Sequence, residues 1–293
     1  MSFFFVFDTL SISQNQVVTK KLKQKKTDKE KNLIVVGARG AGFFSEFFSI
    51  INHLAWAERA GKKIYAYWNK DFLYFVPIGY NNAKGNAWEF YFAPTVNIQN
   101  SNKRKFKIKS KIRRGIDAPD GSQFDIHSNN WVVSKATALK IREIIDRHIS
   151  LKPPVAERIN SFYRTHIQGK RTIGIHWRGT DKYQEIVIIP FAKIIAKANE
   201  FADETDQFLI ASDQQNFLDY AQANLKKPVQ YYPCFRSTNG QPIHLRYSKA
   251  KKGEDVLVEA ILLSKCDLFI HTRSNVSAAV CCFNPHMSHI VVD

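Results

Sequence analysis

From residue 171 onward, short apolar runs alternate with segments of helical periodicity, and that rhythm limits the folds open to the chain. RTIGIHW (171–177), QFLIAS (207–212), VQYYP (229–233), DLFIHT (267–272) and SHIVV (288–292) read as buried strands. Between them PFAKIIAKANEFA (190–202), DQQNFLDYAQANL (213–225), EDVLVEAILLSKC (254–266) and SNVSAAVCCF (274–283) read as helices. Such alternation predicts a parallel sheet with helices on both faces. In open sheets of this kind ligands sit beyond the C-terminal ends of the strands. His176, Arg178, Asp213 and the stretch Arg273–Ser277 fall there.

The first half starts the same way. NLIVV (32–36) enters GARGAG (37–42), a helix-periodic segment follows to Gly61, and KKIYAYWN (62–69) reads as a second strand. Strand, glycine turn, helix and strand form a βαβ unit, and its turn can present backbone N–H groups at a helix start. The G-x-x-G-x-G spacing departs from a dinucleotide fingerprint, and no ribose-binding acid is evident about 20 residues on. Residues 70–150 hold aromatic loops, a basic run and a helix near 134–149. KPP at 152–154 breaks the chain before a helix near 154–168. The expected division is a basic flexible segment over 1–31 and Rossmann-like domains over 32–153 and 154–293, with a cleft between the two domains.

The net charge of +17 would suit a nucleic-acid binder were it spread over a surface, but it is local. KKLKQKKTDKEK (20–31) carries +5 and KRKFKIKSKIRR (103–114) carries +8, so a nearly balanced body remains. No zinc-finger spacing or aromatic RNA-binding motif accompanies the charge. These runs would attract polyanions or anionic lipid at low salt, without base readout. No apolar run reaches the roughly 18–20 residues of a spanning helix, and MSFFFVF lacks a preceding basic region, so no export signal is expected. Cys234, Cys266, Cys281 and Cys282 show no CxxC spacing and read as core residues, with neither a metal site nor a disulfide framework expected. A cytoplasmic setting follows, with a peripheral membrane contact left open by the basic runs.

Three segments of the second half, in order, carry a family resemblance. IHWRGTDKY resembles the H-x-R-R-T-D-K segment of α1,6-fucosyltransferases, FLIASDQQ their strand ending in T-D-D, and GEDVLVEAILLSKCDLFIHTRSNVS their helix–strand–serine segment. GAGFFSEFFSIINHLAWAERAGKKIYAYWN resembles the G-F-G helix and strand of nodulation-type and related O-fucosyltransferases. The resemblance covers about 31–69 and 171–285 and implies a GT-B glycosyltransferase with inverting, metal-independent chemistry. It further implies an acceptor-side first domain, GDP-fucose held mainly by the second, a glycan or glycoconjugate acceptor, and no cofactor beyond the donor. The chain departs from the family at Gly179 (a second arginine there), Gln214 (an aspartate), Glu259 (an aspartate) and Asn275 (a serine).

These residue types suit the chemistry. A nucleotide-sugar transferase must stabilise charge that grows on the leaving diphosphate, which a two-pronged Arg178 can do. Ser274 and Asn275 open a helix whose free N–H groups suit another phosphate contact, with Lys182 as an auxiliary cation. Ser274 reads equally as a plain N-cap and Lys182 as a solvated charge. The resemblance implies Glu259 with His176 as the pair that meets guanine N1–H and N2–H; Glu259 could equally turn to solvent, and His176 could be a core histidine bonded to backbone. Asp181, Glu185, Asp71 and Glu46 are candidates for the acceptor's base, with Asp181 and Glu185 counted as catalytic with Arg178. Asp213 joins the donor-binding set, and Gly40, Gly42 and Phe43 form a loop for phosphate or acceptor. No D-x-D occurs to clamp a metal–diphosphate. From other classes, the chain could instead be a non-catalytic polyanion-binding module or an inactive descendant of the transferase fold.

Overall fold

The first βαβ unit forms as the pattern predicts. Strand β1 (Leu33–Gly37) and strand β2 (Lys63–Tyr67) pair in parallel, joined by helix α1 (Phe43–Ala60). Gly61 closes α1 at φ 61°, a left-handed position that glycine adopts without a Cβ penalty, and its N–H reaches Ala57 O. On the other edge of β1, Arg113 N–H donates to Val35 O at 3.0 Å and Gly37 N–H to Arg113 O at 2.9 Å. The end of the basic run thus lies extended beside β1.

The computed structural model describes residues 32–96, 112–126, 130–179, 188–240 and 249–293. The segment 1–31, most of the run 103–114, and Asp181, Lys182 and Glu185 lie outside the described residues. Residues Asn32–Asp293 make one compact unit.

The phenylalanine content is spent largely on one cluster. Phe43 of α1 meets Trp68 and Phe72 edge-on, Phe47 stacks on Trp88 and tilts against Phe92, and Phe44 and Phe48 pack edge-on against their helix neighbours, all nearly inaccessible. Each such side chain contributes roughly 1.5–3 kcal/mol through burial. A one-turn helix (Trp88–Tyr91) carries part of this cluster. Helix α2 (Lys135–His148) starts at Ser134, whose side chain accepts from Thr137 N–H, and α3 (Pro153–Phe162) starts on the two prolines. The helix expected to run to 168 changes at Tyr163–Ile167 into a π-turn.

The second sheet has five strands in the order β5-β4-β3-β6-β7, all parallel. They are β3 (Thr172–Trp177), β4 (Gln207–Ser212), β5 (Val229–Tyr231), β6 (Leu268–His271) and β7 (Ser288–Val291). The alternation within each strand sorts two faces. Ile173, Ile175, Trp177, Phe208, Ile210 and Ile270 pack against α4 (Phe191–Asn199) and α5 (Gln215–Asn224). Leu209, Ala211 and Phe269 face α6 (Lys249–Leu263) and α7 (Asn275–Phe283), which share the aromatic core of the first half. Gly174 permits the close approach of α6: a Cβ there would come within 2.9 Å of Leu263 and 3.2 Å of Cys266 Sγ. Helix α6 begins five residues earlier than its apolar pattern, because Lys251 pairs with Asp255 and Tyr91 donates to Ala250 O.

Chain order reverses between β3 and β6, since β3 leads outward to β4 and β5 while β6 leads to β7. The crevice beyond these two strand ends is where an open parallel sheet binds its ligand.

Candidate functional site

A cavity of about 390 Å³ opens at that crevice. Its walls bring together Gly40, Gly42 and Phe43 from the first half with His176, Arg178, Asp213, Glu259, Ser274 and Asn275 from the second. The volume falls in the usual range for small-molecule sites. Of the other residues singled out from sequence, Asp181, Lys182 and Glu185 lie outside the described residues.

Arg178 follows β3 directly and sits opposite the end of β4. Its Nε lies 3.9 Å from Asp213 Oδ2, while Gly179 N–H donates to Asp213 Oδ1 at 3.2 Å. Asp213 therefore holds both the backbone turn and the guanidinium. Gly179 is required by packing: a Cβ would fall 2.0 Å from the indole of Trp177. That indole is stacked on Phe217 and bonded to Ile189 O, so it cannot easily yield. The missing second arginine is thus tied to the bulk at Trp177.

His176 faces α7, and its hydrogen bonds define its tautomer. Ser277 Oγ donates to Thr272 O at 2.7 Å, so it can only accept from His176 Nδ1–H, 3.1 Å away. Nε2 is left as an acceptor. Burial, with His271 and Arg178 nearby, pushes the His176 pKa down to about 3, which keeps the ring neutral. Ser274 is the N-cap of α7, accepting from Ser277 N–H at 3.0 Å. The remaining first-turn N–H groups, of Asn275 and Val276, have no acceptor within the helix by geometry. Among the described residues, Asn275 Oδ1, buried in the cavity wall, has no hydrogen-bond partner.

Glu259 has the partner that its apolar surroundings demand. Arg236, nearly inaccessible, donates to Glu259 Oε1 at 2.7 Å, and Cys234 Sγ donates to the same oxygen at 3.2 Å. Burial outweighs Arg236 and lifts the Glu259 pKa to about 7. Sequence reasoning missed Arg236, together with Phe235 and Lys252, which also line the wall or its support. Lys252 Nζ lies 4.2 Å from the Phe235 ring centroid. The only available signal was position: PCFRS follows β5 at the same edge as Arg178 and Asp213.

Glu46 and Asp71 are placed differently from a catalytic base. Glu46 Oε1 accepts from Arg39 N–H at 2.9 Å and Ala41 N–H at 2.8 Å, so its buried carboxyl shapes the glycine loop. Those are the donors that a phosphate at this loop would use, and a carboxyl group already holds them. Asp71 accepts from Asn69 and pairs with Arg114 at 3.0 Å. Among the described residues, no helix is long and apolar enough to cross a membrane.

The fold is of the GT-B type: parallel sheets in an α/β chain, with the cavity at a strand-order reversal. Solved fucosyltransferases share it. NodZ α-1,6-fucosyltransferase soaked with GDP-fucose aligns with a TM-score of 0.55 and 15% identity, over 87% of this chain and 93% of that one. The fucosyltransferase NodZ from Bradyrhizobium gives 0.56 at 15% identity, over 89% and 94%. POFUT1 in complex with GDP-fucose gives 0.51 at 11% identity, over 89% and 97%. No protein-family model matches the chain, and no curated protein matches it.

Proposed function

We propose that the protein is a glycosyltransferase that takes a GDP-sugar, GDP-fucose first among them, and transfers the sugar with inversion to a glycan or glycoconjugate, without a metal or other cofactor. The observation that carries this reading is the meeting, in one cavity, of Arg178, the start of α7 and Glu259. It is supported by the shared fold of NodZ, soaked with GDP-fucose, and of POFUT1 in complex with GDP-fucose.

In this reading Arg178 faces the diphosphate, where its charge gains most as the glycosidic bond breaks. The free N–H groups of the first turn of α7 receive a second phosphate oxygen. Glu259 retains Oε2 for the guanine N1–H and N2–H edge, while Arg236 holds Oε1. His176 Nε2, an acceptor on a neutral ring, suits a hydroxyl or N–H of the nucleotide and cannot act as an acid near neutral pH. The loop Gly40–Phe43 then faces the acceptor side, since its donors serve Glu46. Asp181 and Glu185 stay as candidates for the base.

Hydrolysis and transfer measured across GDP-fucose, GDP-mannose and UDP-sugars test the proposal. Turnover confined to GDP donors is expected. A folded chain that binds heparin-like polyanion at near-physiological salt but neither binds nor turns over any GDP-sugar would overturn it.

A further inference from the structure

Outside the cavity, three side chains with metal-binding atoms converge from three elements. His271 ends β6, Cys281 lies on α7 and His289 lies on β7, and one ligand atom from each falls within 4.8 Å of the others. None of them lines the cavity. Cysteine spacing gives no sign of this group, because only β6, α7 and β7 together bring it about.

The hydrogen bonds of His271 prepare it as a ligand. Its Nδ1 lies 3.1 Å from Thr272 O, which can only accept, so the proton is on Nδ1 and the lone pair on Nε2. A backbone carbonyl that fixes the ring in this way is the usual support of a metal-bound histidine. Nε2 points at His289 Nδ1, 3.1 Å away. Two nitrogens on a tetrahedral zinc ion sit about 3.3 Å apart, and nitrogen and thiolate sulfur about 3.6 Å apart, from the usual bond lengths. The imidazoles are therefore already at ligand spacing, and Cys281 Sγ needs to close by at most about 1.2 Å, within the reach of side-chain rotation. His289 is exposed and gives an ion a way in, while His271 and Cys281 are buried.

We infer that His271, Cys281 and His289 form a structural site for one zinc-class divalent cation, separate from the donor cavity. Binding proceeds as Zn²⁺ with two neutral imidazoles and one thiol, giving an N₂S complex and one released proton from Cys281. His289 moves its ring proton from Nδ1 to Nε2, so the lone pair on Nδ1 becomes available, and water takes the fourth position. The ion clips β7 and β6 to α7, the helix whose first turn lines the cavity.

The test is a titration of the chelator-stripped full-length chain with Co²⁺, followed by displacement with Zn²⁺. One equivalent should produce visible bands of tetrahedral cobalt with a near-ultraviolet thiolate charge-transfer band, and Zn²⁺ should bleach both. Cys281→Ala should abolish the charge-transfer band, whereas Cys282→Ala, at the neighbouring position, should keep it. His289→Gln, at an exposed site that folding tolerates, should weaken Zn²⁺ binding by at least about tenfold. Absence of stoichiometric binding, a charge-transfer band that survives Cys281→Ala, or undiminished affinity in His289→Gln would overturn the assignment. Should Cys281→Ala fail to fold, the His289→Gln affinity decides alone.

Discussion

Replacing Arg178 with alanine should leave the fold intact and remove most of the turnover. The turn it follows is held by Gly179 N–H on Asp213, and Trp177 is anchored by Phe217 and Ile189, so neither support depends on the guanidinium. The side chain is 29% exposed, and its Nε lies 3.9 Å from Asp213 Oδ2 at the cavity wall. A unit charge about 4 Å from a phosphate oxygen at an effective dielectric near 20 gives about 4 kcal/mol before the opposing Asp213 is counted. Removing one preorganised contact of this kind costs roughly 10²–10³ in rate. Because the leaving group gains charge only as the bond breaks, kcat should fall more than donor affinity. Arg178→Lys keeps the charge but loses the planar fork, so it should recover only part of the loss. The assay is GDP-fucose hydrolysis and transfer, with thermal melts to establish folding. A folded Arg178→Ala protein with near-native kcat would refute the argument.

Glu259→Gln should weaken GDP more than UDP or ADP, and equal losses in calorimetry would assign Glu259 a structural role only. With a Glu259 pKa of about 7, the GDP-to-UDP affinity ratio should rise about tenfold between about pH 6 and pH 8 and stay flat in Glu259→Gln. The same raised pKa means that Glu259 stabilises the fold most below its ordinary pKa of 4.5, with that contribution lost as pH rises through about 7. Denaturant titrations should show this slope vanish in Glu259→Gln. Gly179→Ala should destabilise by about 1–3 kcal/mol through the clash with Trp177, and pairing it with Trp177→Leu should return part of that loss in a double-mutant cycle. GDP should raise the melting temperature by the same increment with EDTA as with Mg²⁺, because Arg178 and α7 serve the diphosphate. Loss of zinc from the His271 site in EDTA should lower the melting temperature equally with and without GDP, so disappearance of the increment itself in EDTA would contradict metal independence.

The second half was legible because β3 and β4 are buried on both faces and therefore spell continuous apolar runs, while helices between them carry an apolar stripe. Strand ends could then be read as site positions, which is how Arg178, Asp213 and Asn275 were found. What stayed hidden depends on contacts remote in sequence. Nothing in PCFRS announces that Arg236 will neutralise Glu259, 23 positions away. Glu46 looked like a free acid because the two donors to its Oε1 are backbone N–H groups, which sequence does not display. The early start of α6 is similar: nothing in Lys249–Lys252 shows that Tyr91 and Asp255 will be placed against them. The π-turn at Tyr163–Ile167 has no residue signature that distinguishes it from continued α-helix.

A crystal of the protein soaked with GDP tests the central claim most directly. The account predicts a diphosphate within hydrogen-bonding distance of the Arg178 guanidinium and the N–H groups of Asn275 and Val276, with the guanine edge on Glu259. A nucleotide bound away from these residues, or a cavity that stays empty at saturating GDP, would contradict it.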